Sequence, residues 1–123
     1  MAESENESEN MEMFSFSLIA SAGNARSCSF NALSAAREGD FEAADAAMEE
    51  AEKSALEAHE QQTKLLVQEA NGNHVPVDVM LVHAQDHLMT SMLARELAAE
   101  IVDLRRELVE AGVLTPKADD EEE

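Results

Sequence analysis

Leu81-Val82-His83-Ala84-Gln85-Asp86-His87-Leu88-Met89-Thr90 sets two imidazoles, a carboxamide and a carboxylate into an otherwise apolar segment. Val79, Met80, Leu81 and Val82 lead into it, and Leu88, Met89, Met92, Leu93, Leu97, Ile101 and Leu104 continue it. This spacing predicts a helix. On a helix His83 and His87 are i and i+4 and lie one above the other on one face. Asp86, three residues from His83, turns toward a neighbouring face. Polar groups set into an apolar stripe cost free energy unless they are paired or used.

Working outward, Asp78 is placed to cap this helix two residues after Pro76, and the pattern runs to Gly112, so the helix is expected over about 78–112. It carries two apolar seams. One follows Met80, Ala84, His87, Ser91, Ala94, Ala98, Ile101 and Leu108; the other follows Val79, Val82, Asp86, Met89, Leu93, Leu97 and Leu104. A helix with two such seams is either central in its monomer or shared between a monomer core and an oligomer axis, and with only two partner helices in the chain the second is expected. Before it, Asn71-Gly72-Asn73-His74-Val75-Pro76 is the longest break in the body. A second helix is expected over about 41–70, starting beyond the stop-start signal Glu38-Gly39-Asp40. A first helix is expected over about 11–38. Gly23 interrupts that helix at a cost of roughly 1 kcal/mol against Ala, which close packing would justify. Residues 1–10 and 115–123 are acidic and low in apolar content, and read as disordered tails around a domain at 11–114. The fold expected is all-α: an antiparallel three-helix bundle of helices about 45 Å long.

Composition narrows the function. The 123 residues carry a net charge of -19, which argues against nucleic-acid and anionic-membrane partners. Five Glu in residues 1–12 and five acids in residues 119–123 account for ten of the 27, leaving -9 on the body. Aromatics are 3%, without Trp or Tyr, so the core must be built from Leu, Met, Val, Ile and many Ala. Such a core buries little area per residue and favours further subunits. The single Cys28 has no internal disulfide partner and reads as a small packing residue. There is no secretory h-region and no run of roughly 20 apolar residues, so a cytoplasmic location is expected.

The residues alone leave several chemistries open. His83 and His87 have the spacing of two zinc ligands, but no Glu follows His83 and no third ligand lies on the helix. A neutral imidazole can also accept and pass on a phosphoryl group. A hydrogen-bonded pair of helix histidines without chemistry fits the spacing as well. Asp86 on an apolar seam would be expelled or protonated unless paired. Copies meeting on a symmetry axis would call for a hard cation with oxygen ligands, and the alternative is a solvated carboxylate at a mouth of the bundle. His59 reads as packed or capping, and His74 as an exposed loop residue.

The run Val82–Thr90 closely resembles the lactose/cellobiose-class enzyme IIA of the bacterial phosphoenolpyruvate-dependent sugar phosphotransferase system. The resemblance continues in Gly23-Asn24-Ala25-Arg26-Ser27, in Glu38-Gly39-Asp40-Phe41, and in Ala58-His59 followed by Gln62-Thr63. It covers about residues 14–110, and Thr90–Leu97 looks more like the chitobiose/cellobiose branch than the lactose branch. What it implies is a homotrimer of three-helix subunits and a phosphohistidine carrier. His83 matches the phosphorylated nucleophile, which accepts phosphate from the carrier HPr and passes it to a cysteine of enzyme IIB, alongside a membrane IIC permease. Gln85 and His87 match positions that flank that site. Asp86 matches the residue whose three copies surround one divalent cation, Mg2+, on the trimer axis. A regulatory three-helix interaction protein that keeps the motif without turnover is the alternative.

Overall fold

The computed structural model describes residues 2–117 and consists of three long helices, α1 (Ala2–Arg37), α2 (Phe41–Ala70) and α3 (Val79–Glu110). Cross-helix hydrogen bonds give the directions. Asn24 Nδ2 donates to Ser54 Oγ at 2.6 Å and Gln61 Nε2 to Ser21 Oγ at 3.4 Å, so α2 runs antiparallel to α1. Gln85 binds Gln62 while Arg106 binds Asp45, so α3 runs antiparallel to α2. α1 packs closely along both other helices, whereas α2 and α3 touch each other more sparsely.

The helix starts differ from expectation at one end. α1 reaches back to Ala2, where the sequence suggests a disordered tail over 1–10. Glu5, Glu7 and Glu9 are exposed and belong to a good helix former, and carboxylates near a helix N-terminus complement its dipole. The helix therefore continues past its last core contact without needing one. At the other end, residues 115–117 have no regular structure, and the rest of the expected acidic tail, 118–123, lies outside the described residues. α2 and α3 begin at their expected caps: Asp40 Oδ1 accepts from Ala43 N–H at 3.2 Å, and Asp78 Oδ1 from Leu81 N–H at 2.8 Å.

The core divides into two apolar clusters. Leu18, Ala58, Ala84 and Leu88, flanked by Phe14, Ile19 and Met92, fill the half that carries His83. Ala32, Ala36, Ala44 and Val102, flanked by Leu33, Phe41 and Met48, fill the other. Ser29, Ser54 and Ser91 are also buried. Ser29 Oγ satisfies itself on the Ala25 carbonyl at 2.7 Å, and Ser54 accepts from Asn24. Small side chains let the helix axes approach closely, and such a core buries little area per residue. Two details of the sequence reading change here. The buried face of α3 is Leu81, Ala84, Leu88, Ser91, Ala98 and Val102, rotated from the first seam, with Ile101 exposed. Close packing does not explain Gly23, since a Cβ there would meet nothing within 4 Å.

Gly39, by contrast, is required where it stands. Asp40 N–H bonds the Ala35 carbonyl at 2.9 Å and Gly39 N–H the Ala36 carbonyl at 3.0 Å, the pairing of a helix end closed by a left-handed residue. Gly39 accordingly has φ 79°. The chain also returns there: a Cβ on Gly39 would lie 2.5 Å from the Lys117 nitrogen, and Lys117 Nζ reaches Asp40 Oδ2 at 3.1 Å. The Ala43 N–H, and after it Lys117, hold the Asp40 carboxyl below the usual carboxylate range. Gly39→Ala combines a left-handed backbone cost of roughly 1–2 kcal/mol with displacement of this returning segment. The expected outcome is a fall in Tm of about 6–10 °C for a loss near 2 kcal/mol. A variant melting with the wild type would show that the returning segment is not held there.

Candidate functional site: a histidine pair beside an uncovered apolar seam

The capped start of α3 places the motif in its first three turns. His83 is exposed and His87 half-buried, and their Nε2 atoms lie 3.1 Å apart. The ring centroids are 4.5 Å apart and the planes meet at 89°, edge to face. A hydrogen bond between two imidazole nitrogens needs one lone pair and one N–H. One of the two Nε2 atoms is therefore unprotonated and fixed in direction by the other. Thr90 Oγ1 donates to the Asp86 carbonyl at 2.8 Å, an internal helix bond just beyond the pair.

Gln85 is not brought to these rings within the chain. Two residues from His83, it lies about 200° around the helix at roughly 100° per residue. There it packs toward α2, and its Nε2 donates to Gln62 Oε1 at 2.7 Å. Gln62 is a neighbour of the motif that sequence reading placed in a resembling run but gave no role. No periodicity signals a contact across 23 residues between two helices.

Asp86 is exposed, and so is the whole second seam around it. Val79, Val82, Met89, Leu93, Leu97 and Leu104 stand open, Val79 at 84% and Met89 at 64% exposure. Ile101 joins them. An uncovered stripe of this length on one helix is far more apolar than a solvated face. Among the described residues, no group of three or more His, Cys, Asp or Glu could hold a metal within one chain. A cation at Asp86 would need carboxylates from other copies.

The remaining histidines stand apart. His59 is exposed on α2 rather than packed, and its carbonyl accepts from Thr63 Oγ1 at 3.0 Å. His74 sits exposed in the α2–α3 loop with Nδ1 2.8 Å from Glu69 Oε1. Glu69 Oε2 accepts from Val75 N–H at 2.9 Å, and this bond, followed by His74, holds the Glu69 carboxyl below the usual range. Cys28 is half-buried. No helix of the described residues is long and apolar enough to cross a membrane.

Comparison with known proteins agrees with this geometry. The family model for the lactose/cellobiose-specific IIA subunit of the phosphotransferase system matches residues 13–106. The N,N'-diacetylchitobiose-specific EIIA component of Escherichia coli strain K12 is 45% identical over 106 residues, covering 86% of this chain and 91% of that protein. The crystal structure of the cellobiose-specific enzyme IIA from Bacillus anthracis superposes with a TM-score of 0.77 at 44% identity, covering 80% of this chain and 90% of that one. The IIA(chitobiose) chain of Escherichia coli, solved in complex with HPr, matches with a TM-score of 0.68 at 46% identity, covering 79% and 94%.

Proposed function

The chain belongs to the lactose/cellobiose-specific IIA family of the sugar phosphotransferase system, and we propose that within it His83 carries the phosphoryl group. The donor is phosphorylated HPr and the acceptor a cysteine of a cognate IIB, which serves a membrane IIC permease. Relatives specific for chitobiose and cellobiose support a β-linked disaccharide of that type in preference to lactose. The protein acts in the cytoplasm.

The observation that carries the reading is the Nε2–Nε2 contact of His83 and His87 at 3.1 Å. With His87 as donor, the lone pair lies on His83 Nε2 and is held by His87 Nε2–H until the phosphoryl donor arrives. It attacks phosphorus in line, forming the new N–P bond. The bond from phosphorus to the donor's imidazole breaks, and its electron pair returns to that ring. His87 Nε2–H, freed from His83, then donates to a phosphoryl oxygen. Transfer to the IIB thiolate reverses the roles, with His83 as leaving group. Little acid-base chemistry is needed, and positioning with charge stabilisation supplies the rate.

The uncovered seam supports assembly as a homotrimer with α3 around the axis. The seam would face the axis with Asp86 among its residues. Three copies of Asp86 would hold one Mg2+, which would neutralise carboxylates that otherwise repel. The flank of α3 bearing His83 would then face the opposite flank of the next copy, which bears Gln85. Gln85 of the adjacent copy would thereby come within reach of the phosphoryl group. Incubation with phosphoenolpyruvate, enzyme I and HPr tests the proposal: the intact mass should rise by one phosphoryl group per chain. An unchanged mass would leave a three-helix interaction protein without turnover.

A further inference from the structure

Gln85 leans on a residue of another helix, and that contact is specific. Its Nε2 donates to Gln62 Oε1 at 2.7 Å, in a part-buried position between α2 and α3. A free glutamine side chain turns about three bonds and can present either end of its carboxamide. One N–H committed to Gln62 fixes the plane of the amide and the direction of its oxygen. The second N–H is left as the donor that Gln85 can offer outward. Gln62 is half-buried on α2, in the same half of the bundle as the cluster of Leu18, Ala58, Ala84 and Leu88. Its backbone is thus held by the packing of α2.

We propose that Gln62 is a positioning residue for phosphoryl transfer: it orients the Gln85 carboxamide so that its remaining N–H meets the phosphoryl oxygens on His83 of the adjacent copy. The inference rests on the phosphocarrier reading and adds to it the helix that holds the helper group. Gln62 itself touches neither the phosphoryl group nor His83, and it acts through Gln85. A hydrogen bond that removes wrong orientations, without touching the reacting atoms, contributes a modest factor in rate, about three- to ten-fold.

Rapid-quench phosphoryl transfer from phospho-HPr tests this on four proteins: wild type, Gln62→Leu, Gln85→Leu and the double variant. Gln62→Leu should transfer about five-fold more slowly at saturating phospho-HPr with an unchanged KM, because the docking surface is intact. In the Gln85→Leu background the same change should cost nothing further. A purely structural role would lower the rate in both backgrounds, and that result overturns the proposal, as does a Gln62→Leu protein at the wild-type rate. A wild-type rate for Gln85→Leu also overturns it. If Gln62→Leu does not fold, the wild-type protein still decides by NMR. One Gln85 side-chain amide proton should be shifted downfield and protected from exchange, and a carboxamide with free-glutamine shifts refutes the contact. Failure of the underlying phosphocarrier reading is separate: there the wild type takes up no phosphoryl group at all.

Discussion

His83→Ala should take up no phosphoryl group from phospho-HPr, while His59→Ala and His74→Ala should be labelled at nearly the wild-type rate. The ground is placement. His59 stands alone on α2, and His74 is committed to Glu69 in the loop. Only His83 combines exposure with a ring nitrogen held by a second imidazole. His87→Ala keeps the nucleophile and loses the donor. A hydrogen bond to a charged group contributes roughly 1.5–3 kcal/mol, so transfer should slow about ten- to a hundred-fold if the bond forms in the transition state. Intact mass measured over time gives both rates, and the label should be lost in acid, as a phosphoramidate is. Labelled His83→Ala together with unlabelled His59→Ala would move the nucleophile to α2.

Leu93→Glu should reduce the assembly to single chains. Leu93 lies near the middle of the exposed stripe of α3. In a trimer its three copies meet near the axis, where three carboxylates would be desolvated beside one another. A buried unpaired charge costs several kcal/mol, enough to dissociate a small assembly at micromolar concentration. Light scattering coupled to size exclusion should give about three times 13.4 kDa for the wild type and a single 13.4 kDa chain for the variant. Asp86→Leu makes the complementary case. It removes repelling carboxylates and adds apolar contact, so the trimer should persist with an equal or higher Tm. A chelator should lower the Tm of the wild type and leave Asp86→Leu unmoved. A wild type that is already monomeric at micromolar concentration would refute the axis, and a trimer indifferent to chelator would refute the cation.

The helices and their joints follow from local chemistry, and local chemistry is written in the sequence. Asp40 and Asp78 cap because a short carboxylate three residues before a free N–H can reach it, whatever lies around. Gly39 ends α1 because the required left-handed φ is costly for residues with a Cβ. The spacing of His83 and His87 likewise guarantees that they share a face once the helix forms. The Glu-rich start of α1 is the exception: its composition suggests a tail, yet Glu near a helix N-terminus is compatible with helix, and α1 begins at Ala2.

What only the tertiary structure decided is which seam of α3 the other helices cover. Both seams are apolar, and choosing between them requires knowing from which side α1 approaches. That choice buries Leu81, Leu88 and Val102, exposes Val82, Leu93 and Leu97, and makes Asp86 a surface residue. It also hands the carboxamide of Gln85, which helix geometry already turns away from His83, to Gln62, 23 residues away on another helix. Sequence spacing determines neighbours along one helix, where geometry repeats every 3.6 residues or so. Neighbours between helices depend on how whole faces pack, and that is set by the summed burial of many side chains rather than by any one motif.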